Sequence, residues 1–208
     1  MNLNIYYWYF KSVIPHRICD DIIKYGLEQK ENIALTGSQN GNDNLCDEDL
    51  KQLHKKRKSN VVWMDDRWIY NEIHPYIHTA NKGANWNFEW DWSESCQFTK
   101  YKLNQFYDWH CDSNEKPYNK PDDTNRHGKV RKLSTTVSLV DSSEYEGGDF
   151  EFDFRNKDDG SNKPHICKEI KSKGSVVVFP SFVWHRVKPV TSGTRYSLVM
   201  WNLGWPFR

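Results

Sequence analysis

Residues 101–112 read Tyr101-Lys102-Leu103-Asn104-Gln105-Phe106-Tyr107-Asp108-Trp109-His110-Cys111-Asp112, and the rest of the chain is organised around them. In an extended strand alternate side chains share a face, so His110 and Asp112 point one way, Trp109 and Cys111 the other. One imidazole nitrogen and one carboxylate oxygen do not hold a metal alone. His185, in Phe182-Val183-Trp184-His185-Arg186-Val187, is the candidate third ligand. Two His and one carboxylate leave several coordination positions open for other molecules. By itself the pair is a weak signal, because a His-x-Asp tripeptide turns up by chance about once in a chain this size.

Arg195 adds weight. It follows His185 across Pro189-Val-Thr-Ser-Gly-Thr194, a stretch rich in turn formers. Folded as a hairpin, the stretch sets Arg195 beside or diagonal to His185 on one face. A metal-bound 2-oxoacid with a distal carboxylate needs a bidentate cation at about that reach. On Tyr101, His110, Asp112, His185 and Arg195 the sequence resembles the Fe(II)/2-oxoglutarate oxygenases. Within them it is similar to the prolyl 4-hydroxylase-like branch, in its bacterial and phage-type members. Arg131-Lys-Leu-Ser134, Glu146-Gly-Gly-Asp-Phe150 and Gly193-Thr-Arg-Tyr-Ser197 carry the same likeness, dense from about 95 to 202 and looser before.

The resemblance implies a catalytic centre in which His110, Asp112 and His185 hold Fe(II). It implies 2-oxoglutarate on the iron with its distal carboxylate clamped by Arg195, dioxygen in the remaining position, and ascorbate as an optional reductant. Oxidative decarboxylation to succinate and carbon dioxide would be coupled to hydroxylation of an unactivated C–H bond. Tyr101 is placed against the cosubstrate. Where some relatives carry a second tyrosine this chain has Ser138, and Thr136, on the same face, is the substitute hydroxyl. The plainer reading makes both ordinary strand residues. Trp201 shares the Arg195 face by strand parity, as site lining or as packed core. Tyr107 and Arg131 match substrate-side positions of oxygen-sensing relatives. Arg57, with Val61 and Trp63, echoes the strand that follows their substrate-covering loop. His16, His54, His74, His78, His127 and His165 fit no ligand spacing and read as surface or capping residues.

Composition sets the bounds. The 208 residues suit one domain with a real core, here 1–208, with strands and supporting helices in 1–94 and a jelly-roll catalytic core in 95–208. A net charge of +1 and a pI near 7.7 give no strong pull toward nucleic acid or membrane. Aromatics make up 15%, with ten Trp, which fill a sandwich core or line a groove. Five Cys without a Cys-x-x-Cys pair suggest neither a disulfide framework nor a zinc site. Residues 1–10 lack the basic start and apolar run of a secretory leader, and no stretch reaches membrane-spanning length. A cytoplasmic location is the expectation.

The pattern along the chain predicts a strand over 5–10, a helix from Pro15 to about Gln29, and a strand from Asn60 to Met64. Asp65 or Asp66 then caps a helix to about Ala80. Trp86 to Trp92 alternates aromatic and polar residues like a half-buried strand. Residues 31–50 lack any period, and 55–58 read as a solvated basic edge. The resemblance sets the loop 31–57 over the mouth of the iron site, mobile until peptide binds. From 95 onward about eight short strands are expected, near 95–102, 106–111, 132–140, 148–154, 166–171, 175–179, 184–189 and 194–202. The expected fold is therefore mainly β with N-terminal helices, a double-stranded β-helix (jelly roll) with helices packed outside.

Three classes of function remain. Hydroxylation of a prolyl residue in a peptide or protein is favoured by the local motifs. Oxygenation of another target, a free amino acid, another side chain or a nucleic-acid base, is the second. Relatives that demethylate nucleic acid typically carry a second arginine where this chain has Trp201, and the near-neutral charge also argues against a phosphate-rich substrate. A jelly-roll binding module without catalysis is the third, and the intact ligand set with Arg195 argues against it.

Overall fold

The computed structural model describes residues 5–35, 47–154 and 163–207. In chain order the N-terminal part holds β1 (Trp8–Phe10), α1 (His16–Glu28), β2 (Asn32–Ile33), α2 (Asp47–Lys56), β3 (Arg57–Lys58), β4 (Asn60–Met64) and α3 (Arg67–Gly83). Then come β5 (Trp92–Ser93), β6 (Cys96–Tyr101), β7 (Phe106–His110), β8 (Val130–Ser138), β9 (Tyr145–Gly147) and β10 (Phe150–Asp153). β11 (His165–Ile166), a 3-10 turn over Lys168–Lys171, β12 (Val176–Pro180), β13 (Trp184–Val187), β14 (Val190–Gly193) and β15 (Arg195–Gly204) complete it.

An eight-stranded sheet runs β1-β12-β8-β15-β6-β4-β2, with β5 also on β15. A five-stranded sheet, β11-β10-β13-β7-β3, faces it, and every ladder is antiparallel. This is the jelly roll, with α1 and α3 covering the outer face of the large sheet. Alternation decides which residues meet which layer. Along β12, Val176 and Val178 join Ile18, Ile22, Ile69 and Ile73 of the helices, whereas Val177 and Phe179 meet Phe150 and Phe152 between the sheets. Along β15, Leu198 and Met200 face the helices, while Arg195, Ser197, Val199 and Trp201 face inward. Strands buried on both faces read as apolar runs, as Val176-Val-Val-Phe179 does. The inward faces of β6, β8 and β15 carry Thr99, Ser134, Thr136 and Ser197 instead, all buried, so this side of the large sheet is polar.

Several expectations need correction. Trp86 to Trp92 is no strand before Trp92. Asn85 and Asn87 take left-handed backbone angles (φ 56° and 50°), a conformation asparagine tolerates. The Asn81 side chain donates to the Phe88 carbonyl (2.9 Å) and accepts from its amide (3.0 Å). Trp86 and Phe88 thus reach the helix-side core without a paired strand. Residues 166–171 are mostly a 3-10 turn, because the buried pair is Cys167 and Ile170, three apart rather than two. Among the described residues ten strands, not eight, follow residue 95, since β9 and β14 pair as a small sheet of their own.

The stretch 31–57 is not all loop. Asn32–Ile33 pairs with β4, and Asp47–Lys56 is a helix anchored by Leu53, which is 2% exposed. Residues 36–46, the centre of the expected mobile loop, and 155–162 lie outside the described residues. The basic run is solvated at Lys55, Lys56 and Lys58, but Arg57 is buried on β3. Asp66 does occupy the N-cap position of α3, without a side-chain cap; its carboxylate bonds the Tyr25 hydroxyl instead.

Candidate active site

Two cross-strand pairs on facing sheets make the site. On the small sheet His185 of β13 lies directly opposite His110 of β7, their rings 4.2 Å apart between centroids. On the large sheet Arg195 of β15 lies opposite Tyr101 of β6, with the guanidinium 5.5 Å from the ring centroid. The expected hairpin from His185 to Arg195 does not form: β14 turns aside to pair with β9, and the chain crosses to the other sheet. Arg195 therefore meets His185 across a common chamber rather than along one face, and both line it.

Asp112 follows the end of β7. Its amide and that of Ser113 both donate to the Ser181 carbonyl (2.9 Å each), which swings the carboxylate back over the sheet. Oδ1 then lies 3.7 Å from His110 Nε2 and Oδ2 lies 3.6 Å from His185 Nε2. Among the described residues this is the one cluster whose donor atoms, all within 4.8 Å of one another, suit a metal. Each His Nδ1 bonds a backbone carbonyl two residues back, Asp108 at 2.8 Å and Val183 at 2.9 Å. Nδ1–H donation fixes the tautomer and leaves the Nε2 lone pair for a metal. Burial, then the nearby His185, pushes His110 down to about 3. Burial alone would raise Asp112, but His185, His110, Arg131 and the Ser134 hydroxyl bring it down to about 2. Both ligands are thus held in the unprotonated forms a cation requires, and the donor set fits Fe(II).

The surroundings of the cluster are specific. Ser134 donates to Asp112 Oδ2 at 2.7 Å and shares a 2.9 Å bond with Ser181. The Tyr107 ring stacks on His110 at 3.5 Å, with the Arg57 guanidinium 4.4 Å from the Tyr107 centroid. His185 is bedded against Phe179 and Phe150. In the chamber Arg195 is 2% exposed and donates to Ser197 (3.2 Å), with Thr136 also in the lining. Ser138 is turned away, donating to the Val140 carbonyl.

Outside the chamber a cleft of about 510 Å³ opens, sharing Asp112, Tyr107, Gln97 and Trp201 with it. Trp201 lies under the Arg131 guanidinium (4.0 Å) and 6.1 Å from Trp63, which is half exposed. Arg131 is itself paired with Glu94 (2.6 and 2.5 Å). Tyr101, His110, Thr136, His185 and Arg195 line the chamber, Arg57, Trp63 and Arg131 line the cleft, and Tyr107, Asp112 and Trp201 line both, whereas Ser138 and Val61 line neither. Ser181 and Glu94 were not singled out, and Ser134 and Ser197 were quoted in motifs without a role of their own. Ser197 was legible, two residues from Arg195 on the same strand; Glu94 and Ser181 depend on long-range pairing that no local pattern carries. Of the six remaining histidines, His74 and His165 are neither free surface nor caps: His74 bonds Ser93 and His165 bonds Tyr7.

Fold and cluster define a jelly-roll protein with a candidate two-His, one-carboxylate metal site. Residues 96–202, just over half of the chain, match the family model of the 2OG-Fe(II) oxygenase superfamily, and the chain belongs to that superfamily. The superfamily implies Fe(II), 2-oxoglutarate and dioxygen. A PKHD-type hydroxylase of Synechococcus sp. (strain CC9902) is 34% identical over 108 residues, 51% of this chain and 40% of that protein. A second, from Synechococcus sp. (strain CC9605), is 36% identical over 96 residues, 46% of this chain and 35% of its own. The chain therefore matches well under half the length of these curated relatives. In fold it is similar to the viral collagen prolyl hydroxylase of Paramecium Bursaria Chlorella virus-1, with TM-score 0.65, 17% identity and 97% of each chain covered. A Pseudomonas putida prolyl-4-hydroxylase is similar too, with TM-score 0.64, 17% identity, 96% of this chain and 92% of that one. No helix among the described residues is long and apolar enough to cross a membrane.

Proposed function

We propose that this chain is a 2-oxoglutarate-dependent dioxygenase that hydroxylates a prolyl residue in a peptide or protein, with the catalytic core in 95–208 and residues 1–94 supplying support and, through Arg57 and Trp63, part of the cleft wall. The observation that carries the reading is the chamber closed by the His110–Asp112–His185 cluster on one sheet and by Arg195 on the other. His110, Asp112 and His185 would hold Fe(II), which supplies dioxygen activation coupled to decarboxylation of 2-oxoglutarate to succinate and carbon dioxide. Arg195, pre-oriented by Ser197 and by its place opposite Tyr101, clamps the distal carboxylate of the cosubstrate. Thr136 and Tyr101 offer hydroxyls to the same carboxylate. Tyr107, stacked on His110, shields that ligand and keeps its ring from rotating.

The prolyl assignment is supported by the cleft. Trp63, Trp201, Tyr107 and Tyr118 line it, and extended proline-containing segments dock in aromatic-lined grooves at low entropy cost. Arg57 and Arg131 flank those rings at the substrate side. Incubation with Fe(II), 2-oxoglutarate and a panel of proline-containing peptides should give a mass gain of one oxygen on proline with matching succinate. Succinate formation stimulated only by a non-peptide substrate would overturn the prolyl reading while leaving the dioxygenase reading intact.

A further inference from the structure

Four cations border the cleft, Arg57, Lys120, Arg126 and Arg131, against two carboxylates, Glu94 and Asp112. The carboxylates are already engaged. Asp112 belongs to the metal cluster. Glu94 bonds Arg131, and its other oxygen lies 3.6 Å from Arg126 Nε, which is also 3.6 Å from Asp123. That leaves two positive charges unbalanced.

Arg57 is 4% exposed, and among the described residues its partners are neutral: Ser59 Oγ at 3.0 Å, the Leu35 carbonyl at 3.2 Å and the face of Tyr107. Its Nη2 is closed to solvent and has no hydrogen-bond partner among the described residues. A buried guanidinium without a counter-charge is costly, and a binding partner that brings one recovers that cost. Lys120 lines the same cleft and is exposed, with no ion pair among the described residues. Its segment is held by backbone bonds between Tyr118 and Lys129 and between Gly128 and Tyr118, both 2.9 Å, so the charge is presented from an anchored support.

We infer that the peptide accepted by this cleft carries a carboxylate side chain beside its target residue, received by the unbalanced charges of Arg57 and Lys120. The inference rests on the peptide reading above and narrows it to acidic peptides. Two spare cations within one aromatic-lined cleft suit a single carboxylate; a phosphate backbone is met by a track of cations along a surface.

Matched peptides with Asp, Asn or Lys on either side of one proline test it, bound to protein loaded with Mn(II) and 2-oxoglutarate and read by fluorescence anisotropy. The Asp set should bind about tenfold tighter than the Asn set, the Lys set most weakly, with the gap shrinking as salt rises. Lys120→Glu, at an exposed position, should narrow the Asp preference or shift it to Lys. Equal binding of the three sets, a Lys preference in the parent protein, or tighter binding of single-stranded oligothymidylate than of the Asp peptides would overturn the inference. Oxygen transfer to proline, measured separately with Fe(II), tests the hydroxylase reading, so either can fail alone.

Discussion

Ser134 donates a 2.7 Å hydrogen bond to the carboxylate of Asp112, and both side chains are buried. The bond reaches from the large sheet to a ligand carried by the small one, so it ties the metal cluster to the opposite wall. Removing it in Ser134→Ala frees Asp112 to rotate and should weaken Mn(II) binding about 10- to 100-fold. Asp112→Ala should abolish turnover while the circular dichroism spectrum stays that of the parent. Metal titration by calorimetry checks the first. An Asp112→Ala protein that still decarboxylates 2-oxoglutarate at the parent rate would remove Asp112 from the centre.

Arg195→Ala should raise the dissociation constant for 2-oxoglutarate on the order of a hundredfold while metal binding persists. Arg195→Lys keeps the charge but loses the planar fork, and the loss should be smaller. Titrating 2-oxoglutarate into Mn(II)-loaded protein, followed by tryptophan fluorescence, separates the two; an unchanged affinity in Arg195→Ala sinks the assignment.

Gly148 has φ 59°, and a Cβ there would sit 3.1 Å from Arg195 Cδ. Gly148→Ala should therefore do two things at once. Left-handed strain should cost roughly 1–2 kcal/mol of stability, and displacement of Arg195 should raise the Michaelis constant for 2-oxoglutarate. A lower melting temperature with unchanged 2-oxoglutarate kinetics would show that Arg195 is not crowded by this turn.

Asn81→Ala strips both hydrogen bonds from Phe88 and should destabilise the fold by about 1–3 kcal/mol. Metal and 2-oxoglutarate affinities should not change, because the bond pair sits on the helix side of the large sheet. Denaturant unfolding alongside the two titrations is the check.

His74 bonds Ser93 and lies against Trp90, with burial first and His78 second lowering its pKa below the ordinary 6.5. The folded state then binds fewer protons than the unfolded one just below that value. The stability from neutral His74 is full above 6.5 and is lost as pH falls through the folded pKa. The melting temperature of the parent should drop more between about pH 7.5 and about pH 5.5 than that of His74→Gln. Parallel profiles for the two proteins would exclude His74 as the source.

The candidate metal cluster was legible because one short spacing and one strand pattern did the work: His110 and Asp112 sit on either side of one residue, and His185 is embedded in a strand of unmistakable β character. The jelly roll was legible for the same reason, in Val176-Val-Val-Phe179 and in the run from Arg195 to Trp201. Local pattern failed where alternation had another cause. Trp86 and Phe88 alternate through left-handed asparagines, Cys167 and Ile170 through a 3-10 turn, and α2 buries so little, chiefly Leu53, that no helical stripe stands out. The route from His185 to Arg195 looked like a hairpin because its turn residues are real; they serve a pairing with Tyr145–Gly147 that lies far away in sequence.

β15 writes two messages in one string of residues. Arg195, Ser197, Val199 and Trp201 spell the chamber, while Tyr196, Leu198 and Met200 spell the support beneath it. Point changes can revise either message alone, but a single inserted residue behaves like a frameshift. Everything beyond it trades places, sending indole to the helices and a leucine to the chamber. Length along this strand is consequently less free to vary than identity. Descendants of this chain have room to drift at Val199 or Met200, yet almost none to gain or lose a residue between Arg195 and Trp201.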